Sequence, residues 1–343
     1  MKTERKFGLD IIRAFAICAI MLVHMVSYSG AINANFRTPV WTAWVFIRFV
    51  SAMGVPLFLL LTGYLQSSRK IDKKHYTSII PILISYFVIS IINVITENAV
   101  LGEKIGLYEF ITRLFDFEYG YSWYVEMYIG LFLLIPFLNI LYRNIDKKQK
   151  LILIGSLAFL TLLPSALQYY IVNDNGFEVL PDFFMKLYPI TLYFIGSYIA
   201  EYKPSPNKLL CFAILLLTLA IEVALCYYYS NGAYAWWLFN NNASLPHVIC
   251  AVFFFLIFWN INKIPVISAP IKWVSMCSFE MYLVFYITDK FCYTKLPYPL
   301  WQVVIIDFLM TFVAALIVRL FTVPLGNGLK NLILTNRKKL AIK

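Results

Sequence analysis

Ten stretches of about 20 predominantly apolar residues follow one another along this chain, near 9–29, 41–66, 77–96, 121–142, 150–172, 183–201, 207–229, 244–261, 273–292 and 300–323. A run of that length matches the hydrocarbon thickness of a bilayer. Backbone polar groups in lipid find no water to bond, so an α-helix is the form that such a run takes there. The composition agrees: 61% of the 343 residues are hydrophobic and only 14% are charged, more apolar side chain than a soluble fold hides. The reading is an all-α, polytopic integral membrane protein of about ten transmembrane helices. It forms one domain over 1–343, with a helical bundle over about 7–325 and a basic tail at 326–343.

The net charge of +11 suggests nucleic acid in a soluble protein; here it is a topology signal. With alternate loops assigned to alternate sides, 20 of the 29 Lys and Arg fall on the side of the termini, six on the other, and Arg13, Arg48 and Arg319 fall within spans. The positive-inside rule then puts both termini in the cytoplasm, in the cytoplasmic (inner) membrane of a cell, with no nucleic-acid partner. MKTERK followed by an apolar run and SYSGA imitates a signal peptide. A cleavable apolar region is shorter and lacks Asp10, Arg13 and His24, so this is read as an uncleaved first helix. The six cysteines lie within or at the edges of spans with no CxxC spacing, which gives packing thiols with neither disulfide nor metal.

Between spans, the longest stretches are 97–120 and 173–182 on the outer side. The first carries Leu107, Phe110, Ile111, Leu114 and Phe115 at helical spacing, an amphipathic helix for the membrane surface. The tryptophans of NGAYAWWLFNNNASLP suit an interfacial belt.

Arg13 and His24 are the costly residues of the first span. Eleven steps along a helix come to about three turns plus roughly 20°, so the two share a face about 16 Å apart. Ionisable groups at membrane depth point to function. An imidazole there serves as base or nucleophile near neutral pH, whereas an arginine near the cytoplasmic end also snorkels. Asp10, one turn before Arg13, is placed to pair with it.

The sequence FGLDIIRAFAICAIMLVHM resembles the opening of the membrane-bound acyltransferase-3 family, whose signature is a basic residue, ten residues, then histidine; Arg13 and His24 keep that spacing. GVPLFLLLTGYL (54–65) resembles a second family segment, with Thr62 where serine is usual. WYVEMYIGLFLLIP (123–136), YFIGSYIA (193–200) and SFEMYLVF (278–285) are similar to three more, so the resemblance spans nearly the whole chain. Two departures stand out. Phe285 occupies a position where many members have a second histidine, and RKIDKKHYTSIIP has Arg69, Lys70, Lys73 and Lys74 in place of an arginine pair.

The resemblance implies transfer of an acyl group, commonly acetyl, from cytoplasmic acetyl-CoA or another acyl-CoA to a cell-surface glycan or a lipid-linked sugar. No cofactor is held permanently, and His24 is essential. Arg13 and the Arg69–Lys74 cluster are then candidates for the CoA phosphates, lysine acting there as a point charge. Glu126 is a candidate to orient His24 or bind a sugar hydroxyl, and Trp123 with Tyr124 beside it offers a sugar platform. Glu222, Glu280, Arg48 and Asp307 are weaker intramembrane candidates. His247 at a helix start and His75 in a basic loop are expected to be solvated. The competing reading is a transporter or flippase for polysaccharide or lipid-linked sugar. It predicts helix breaks at corresponding places in two halves, and the prolines at 56, 81, 136, 164 and 189 show no such pairing.

Overall fold

The computed structural model describes residues 5–33, 36–116, 119–166, 182–236, 238–239 and 241–340, and every regular element among them is helical. In chain order these are α1 (Phe7–Tyr28), α2 (Pro39–Ala52), α3 (Gly54–Gln66), the short α4 (Lys73–Tyr76), α5 (Ile80–Ala99), α6 (Leu107–Phe115), α7 (Trp123–Arg143), α8 (Lys147–Thr161), α9 (Tyr188–Tyr202), α10 (Lys208–Tyr229), α11 (Leu245–Phe258), α12 (Ser268–Lys295) and α13 (Leu300–Leu340). The stretch expected at 173–182 lies, up to 181, outside the described residues, as do Trp237 and the last three residues of the tail.

Eight helical stretches among the described residues are long and apolar enough to cross a membrane. The other two expected spans are helical but differ. The one at 244–261 is the 14-residue α11, and the one at 273–292 lies in α12, which carries Lys272, Glu280, Asp289 and Lys290. The span at 41–66 is two helices meeting at Met53, and α13 runs past the expected end of the bundle to Leu340. Helix starts follow local chemistry. Thr38 accepts from the Trp41 amide ahead of Pro39 in α2, Asp146 and Gln149 form a capping box on α8, and Asn207 caps α10. Prolines 81, 189 and 246 sit in first turns, where a missing N–H is harmless.

The chain divides into two compact units, 1–68 with 141–275 and 69–140 with 276–343. In the first, α3 lies against α9 at backbone contact. A Cβ on Gly63 would collide with the Tyr193 carbonyl, and one on Gly196 with the Leu60 carbonyl. Close approach of this kind requires glycine, and Ser197 Oγ reinforces it by donating to the Gly63 carbonyl at 3.3 Å. Gly54 allows α3 to begin against Ala16 and Ile20 of α1. At the start of α1, Asp10 accepts from Arg5 Nε and Nη2 at 2.7 and 2.6 Å and from Ser275 Oγ at 2.8 Å. The expected Asp10–Arg13 pair is therefore replaced: Arg5, ahead of the helix, meets both carboxylate oxygens.

In the second unit α5 packs on α13, with Gly326 against Pro81. Glu280 of α12 is paired with Arg319 of α13 at 2.9 and 3.0 Å, a structural role for both. The amphipathic helix expected after residue 97 is α6. Its Leu107, Tyr108, Ile111 and Phe115 are exposed, while Arg113 reaches back to Glu97 of α5.

Overpacking a filled contact costs about 1–3 kcal/mol. Gly63→Val should therefore lower the melting temperature in detergent clearly, while Gly155→Ala, where a Cβ meets nothing within 4 Å, should leave it unchanged. Equal melting temperatures would refute the backbone contact.

Candidate functional site

Helix α1 presents a buried face through Ile12, Ala16, Ile17, Ile20 and Met21. Arg13 and His24 both lie beside that face and are half-buried. Among the described residues no hydrogen bond or ion pair occupies the Arg13 guanidinium, which leaves it available to an anion.

His24 lies in a polar cluster built within the first unit. Arg48 of α2 is buried, and its charge acts on the His24 imidazole. Its Nη1 donates to Ser27 Oγ, three residues beyond His24, at 3.3 Å, and its Nε donates to the Tyr234 hydroxyl at 3.0 Å. The guanidinium carbon also sits 4.7 Å from the Trp236 ring centre and 5.5 Å from that of Tyr234, cation–π contacts that hold it in plane. The segment bearing these two aromatics is itself fixed. Ser230 Oγ accepts from the Ala235 amide at 3.0 Å, and Arg37 Nη2 donates to the Ser230 carbonyl at 2.7 Å. Next to Arg48, Phe49 packs on the His247 ring at 5.9 Å. His247 is buried, not solvated, with Nε2 3.0 Å from Glu222 Oε1. Its helix start is covered by Phe49 and Phe239.

The arrangement offers the His24 imidazole of α1 under the charge of Arg48, which is held on α2, and in the same unit a second imidazole, His247, facing a carboxylate. The acyltransferase-3 family model, described as an acyltransferase domain, matches residues 6–323, nearly the whole chain. The chain belongs to the acyltransferase-3 family. No curated protein and no solved structure matches it. A member of this family with these helices is a multi-pass membrane acyltransferase. Two of the acyltransferase's motif segments, 54–65 and 193–200, are the α3 and α9 stretches whose glycines touch. A third, 278–285, ends at Phe285, fully buried and stacked on Tyr121 with ring centres 5.1 Å apart.

The remaining candidates belong to the second unit. Trp123 and Tyr124 open α7 with ring centres 6.0 Å apart, and Tyr124 also packs on Tyr128 and Tyr282. Glu126, expected as a buried carboxylate, is exposed. The buried face of α7 runs through Val125, Phe132, Ile135 and Asn139, whereas Glu126 heads the stripe Gly130, Leu133, Phe137 that faces outward. Its charge suits the first turn of the helix instead. In the basic loop, Lys73 Nζ donates to the Ile333 carbonyl at 2.5 Å, and the Arg69 carbonyl accepts from Asn139 at 3.0 Å. Lys74 is exposed and the Arg69 side chain half-buried. His75 is fully buried, against expectation, in the short helix that Asp72 caps by accepting from the His75 amide. It stacks on Phe132 at 4.1 Å, with Nε2 3.0 Å from that residue's carbonyl oxygen.

Sequence reasoning missed Tyr234 and undervalued Arg48. The visible signal was a charge within the span at 41–66; its partners lie 21 and 186 residues away.

The second unit also holds a charge cluster. Buried Glu97 accepts from Arg113 Nη1, Lys290 Nζ and the Tyr286 hydroxyl, each at 2.7 Å. Glu103 is bonded by Lys290, and this bond, with the charges of Lys290 and Arg113, holds its carboxyl below the ordinary range. A depressed carboxyl stabilises the fold above its unfolded value of about 4.3, and that stabilisation disappears as pH falls through the lower folded value. The melting temperature should therefore drop on acidification below about pH 4.3, and Glu103→Gln should flatten that limb. An unchanged profile in the variant would contradict the assignment.

Proposed function

We propose that this acyltransferase moves an acyl group, acetyl in the first instance, from cytoplasmic acyl-CoA to a hydroxyl of an extracytoplasmic or lipid-linked polysaccharide, in the cytoplasmic membrane. The observation that carries this is the single helix α1, with Arg13 open to an anion and His24 about 16 Å further along beside Arg48. The lysine and arginine distribution puts the Arg13 end toward the cytoplasm, where the donor is found. The extended pantetheine arm of CoA is of the same order as the Arg13–His24 separation. CoA phosphates held by Arg13 would therefore let the thioester reach the imidazole; Arg69 and Lys74 remain proposed phosphate-binding residues of the second unit. Lys73, already bonded to a backbone carbonyl, contributes mainly its charge.

Two routes use His24. In one it takes the proton of the acceptor hydroxyl as the oxygen attacks the thioester carbon, the C–S bond breaks, and the proton passes to the departing thiolate. In the other the imidazole nitrogen attacks first and carries the acyl group to the acceptor. In either, Arg48 is placed to stabilise charge developing on the carbonyl oxygen. Trp123 and Tyr124 remain the proposed sugar platform; Glu126, being exposed, is assigned to an acceptor hydroxyl and not to His24.

His24→Ala should lower acyl transfer from acetyl-CoA to membrane glycan by about 100-fold or more, with the protein still inserted in the membrane at wild-type level. Radiolabelled acetyl incorporation measures this, and activity near wild type would overturn the proposal.

A further inference from the structure

Besides His24, the first unit contains a second imidazole that the family's signature does not include. His247 of α11 and Glu222 of α10 are 2% and 0% exposed. His247 Nε2 lies 3.0 Å from Glu222 Oε1, yet neither ring nitrogen nor either carboxylate oxygen completes a well-directed hydrogen bond. A buried polar atom left in this state costs stability and calls for an explanation. Four of them on facing side chains of α10 and α11 mark a functional pair more readily than a packing device.

The pair belongs to the surroundings of His24. Arg48 and Phe49 are consecutive on α2. Arg48 bonds Ser27 on His24's own helix, and Phe49 packs on His247. Arg48 and Glu222 both act electrostatically on Tyr234 and on Cys226. Two consecutive residues of α2 thus link the α1 turn that follows His24 with the His247–Glu222 pair, and Tyr234 is acted on from both sides.

A base is needed twice only on the covalent route. In direct attack His24 alone carries the proton from the hydroxyl to the thiolate. Once His24 bears the acyl group, its nitrogen is blocked, and a different base must take the proton of the incoming hydroxyl. We propose that transfer runs through an acyl-His24 intermediate and that His247, oriented by Glu222, is the base of its second half. This inference rests on the acyl-CoA reading above.

In the first half a His24 nitrogen attacks the thioester carbon, the C–S bond breaks, and the proton shed by the imidazole leaves on the CoA thiol. In the second half the acceptor oxygen attacks the acyl carbon while its proton passes to His247 Nδ1. The C–N bond to His24 then breaks, and His24 regains a proton from His247. Nothing is oxidised or reduced, and both rings return to their starting state. His247 is the catalytic group of this half-reaction and Glu222 a positioning residue, keeping the proton on Nε2 so that Nδ1 is the acceptor.

The test uses the full chain in membrane vesicles that contain its acceptor, given labelled acetyl-CoA and quenched at short times. Wild type should release CoA and label glycan at equal rates. Glu222→Gln and His247→Gln should release about one CoA per protein in a rapid burst and then label glycan at least 100-fold more slowly. His24→Gln should give no burst. Glu222→Gln preserves volume and is the decisive variant. Wild-type labelling in it, or lost labelling without a burst in protein that melts as wild type does, overturns the inference. Wild-type protein that releases no CoA from acetyl-CoA overturns the acyl-CoA reading itself.

Discussion

An ionisable side chain at the depth of a bilayer has no water to retreat to, so it is satisfied by protein or it remains reactive. Much of this structure is organised by that constraint. Asp10 is met by Arg5 and Ser275, Glu280 by Arg319, and Glu97 by Arg113, Lys290 and Tyr286. Arg48 is held by two hydroxyls and two aromatic faces. The groups left incompletely bonded include Arg13 and the Glu222–His247 pair. They share the first unit with His24, and binding is assigned to Arg13 and proton transfer to the pair.

The same economy explains why some family segments read as they do. The glycines of 54–65 and 193–200 are not loop residues. They let α3 and α9 touch along their backbones, and α1 packs on α3. The helix that carries Arg13 and His24 is therefore seated on a contact that side chains cannot fill.

Eight of the ten expected spans, among the described residues, and the amphipathic α6 were legible in the sequence, because length and apolar period are local properties. So was the shared face of Arg13 and His24, which depends only on helix geometry. The break at Met53 was not, since both halves of 41–66 are equally apolar. The exposure of Glu126 was hidden because α7 is apolar all round and its sequence does not reveal which stripe faces the protein. The burial of His75 and His247 and the partners of Arg48 depend on contacts distant in sequence, where composition offers no guide. Asp10 shows the converse: helical spacing pointed to Arg13, and a residue ahead of the helix proved the better donor.

The central claim is that the acyl group is delivered to His24 along α1. The most direct measurement is an electron cryomicroscopy structure of the full chain in a nanodisc with a non-hydrolysable thioether analogue of acetyl-CoA. The claim predicts phosphates against Arg13 and the carbon that stands for the acyl carbonyl about 3–3.5 Å from a His24 ring nitrogen. An analogue bound with that carbon more than a helical turn, about 5.4 Å, from the imidazole would contradict it.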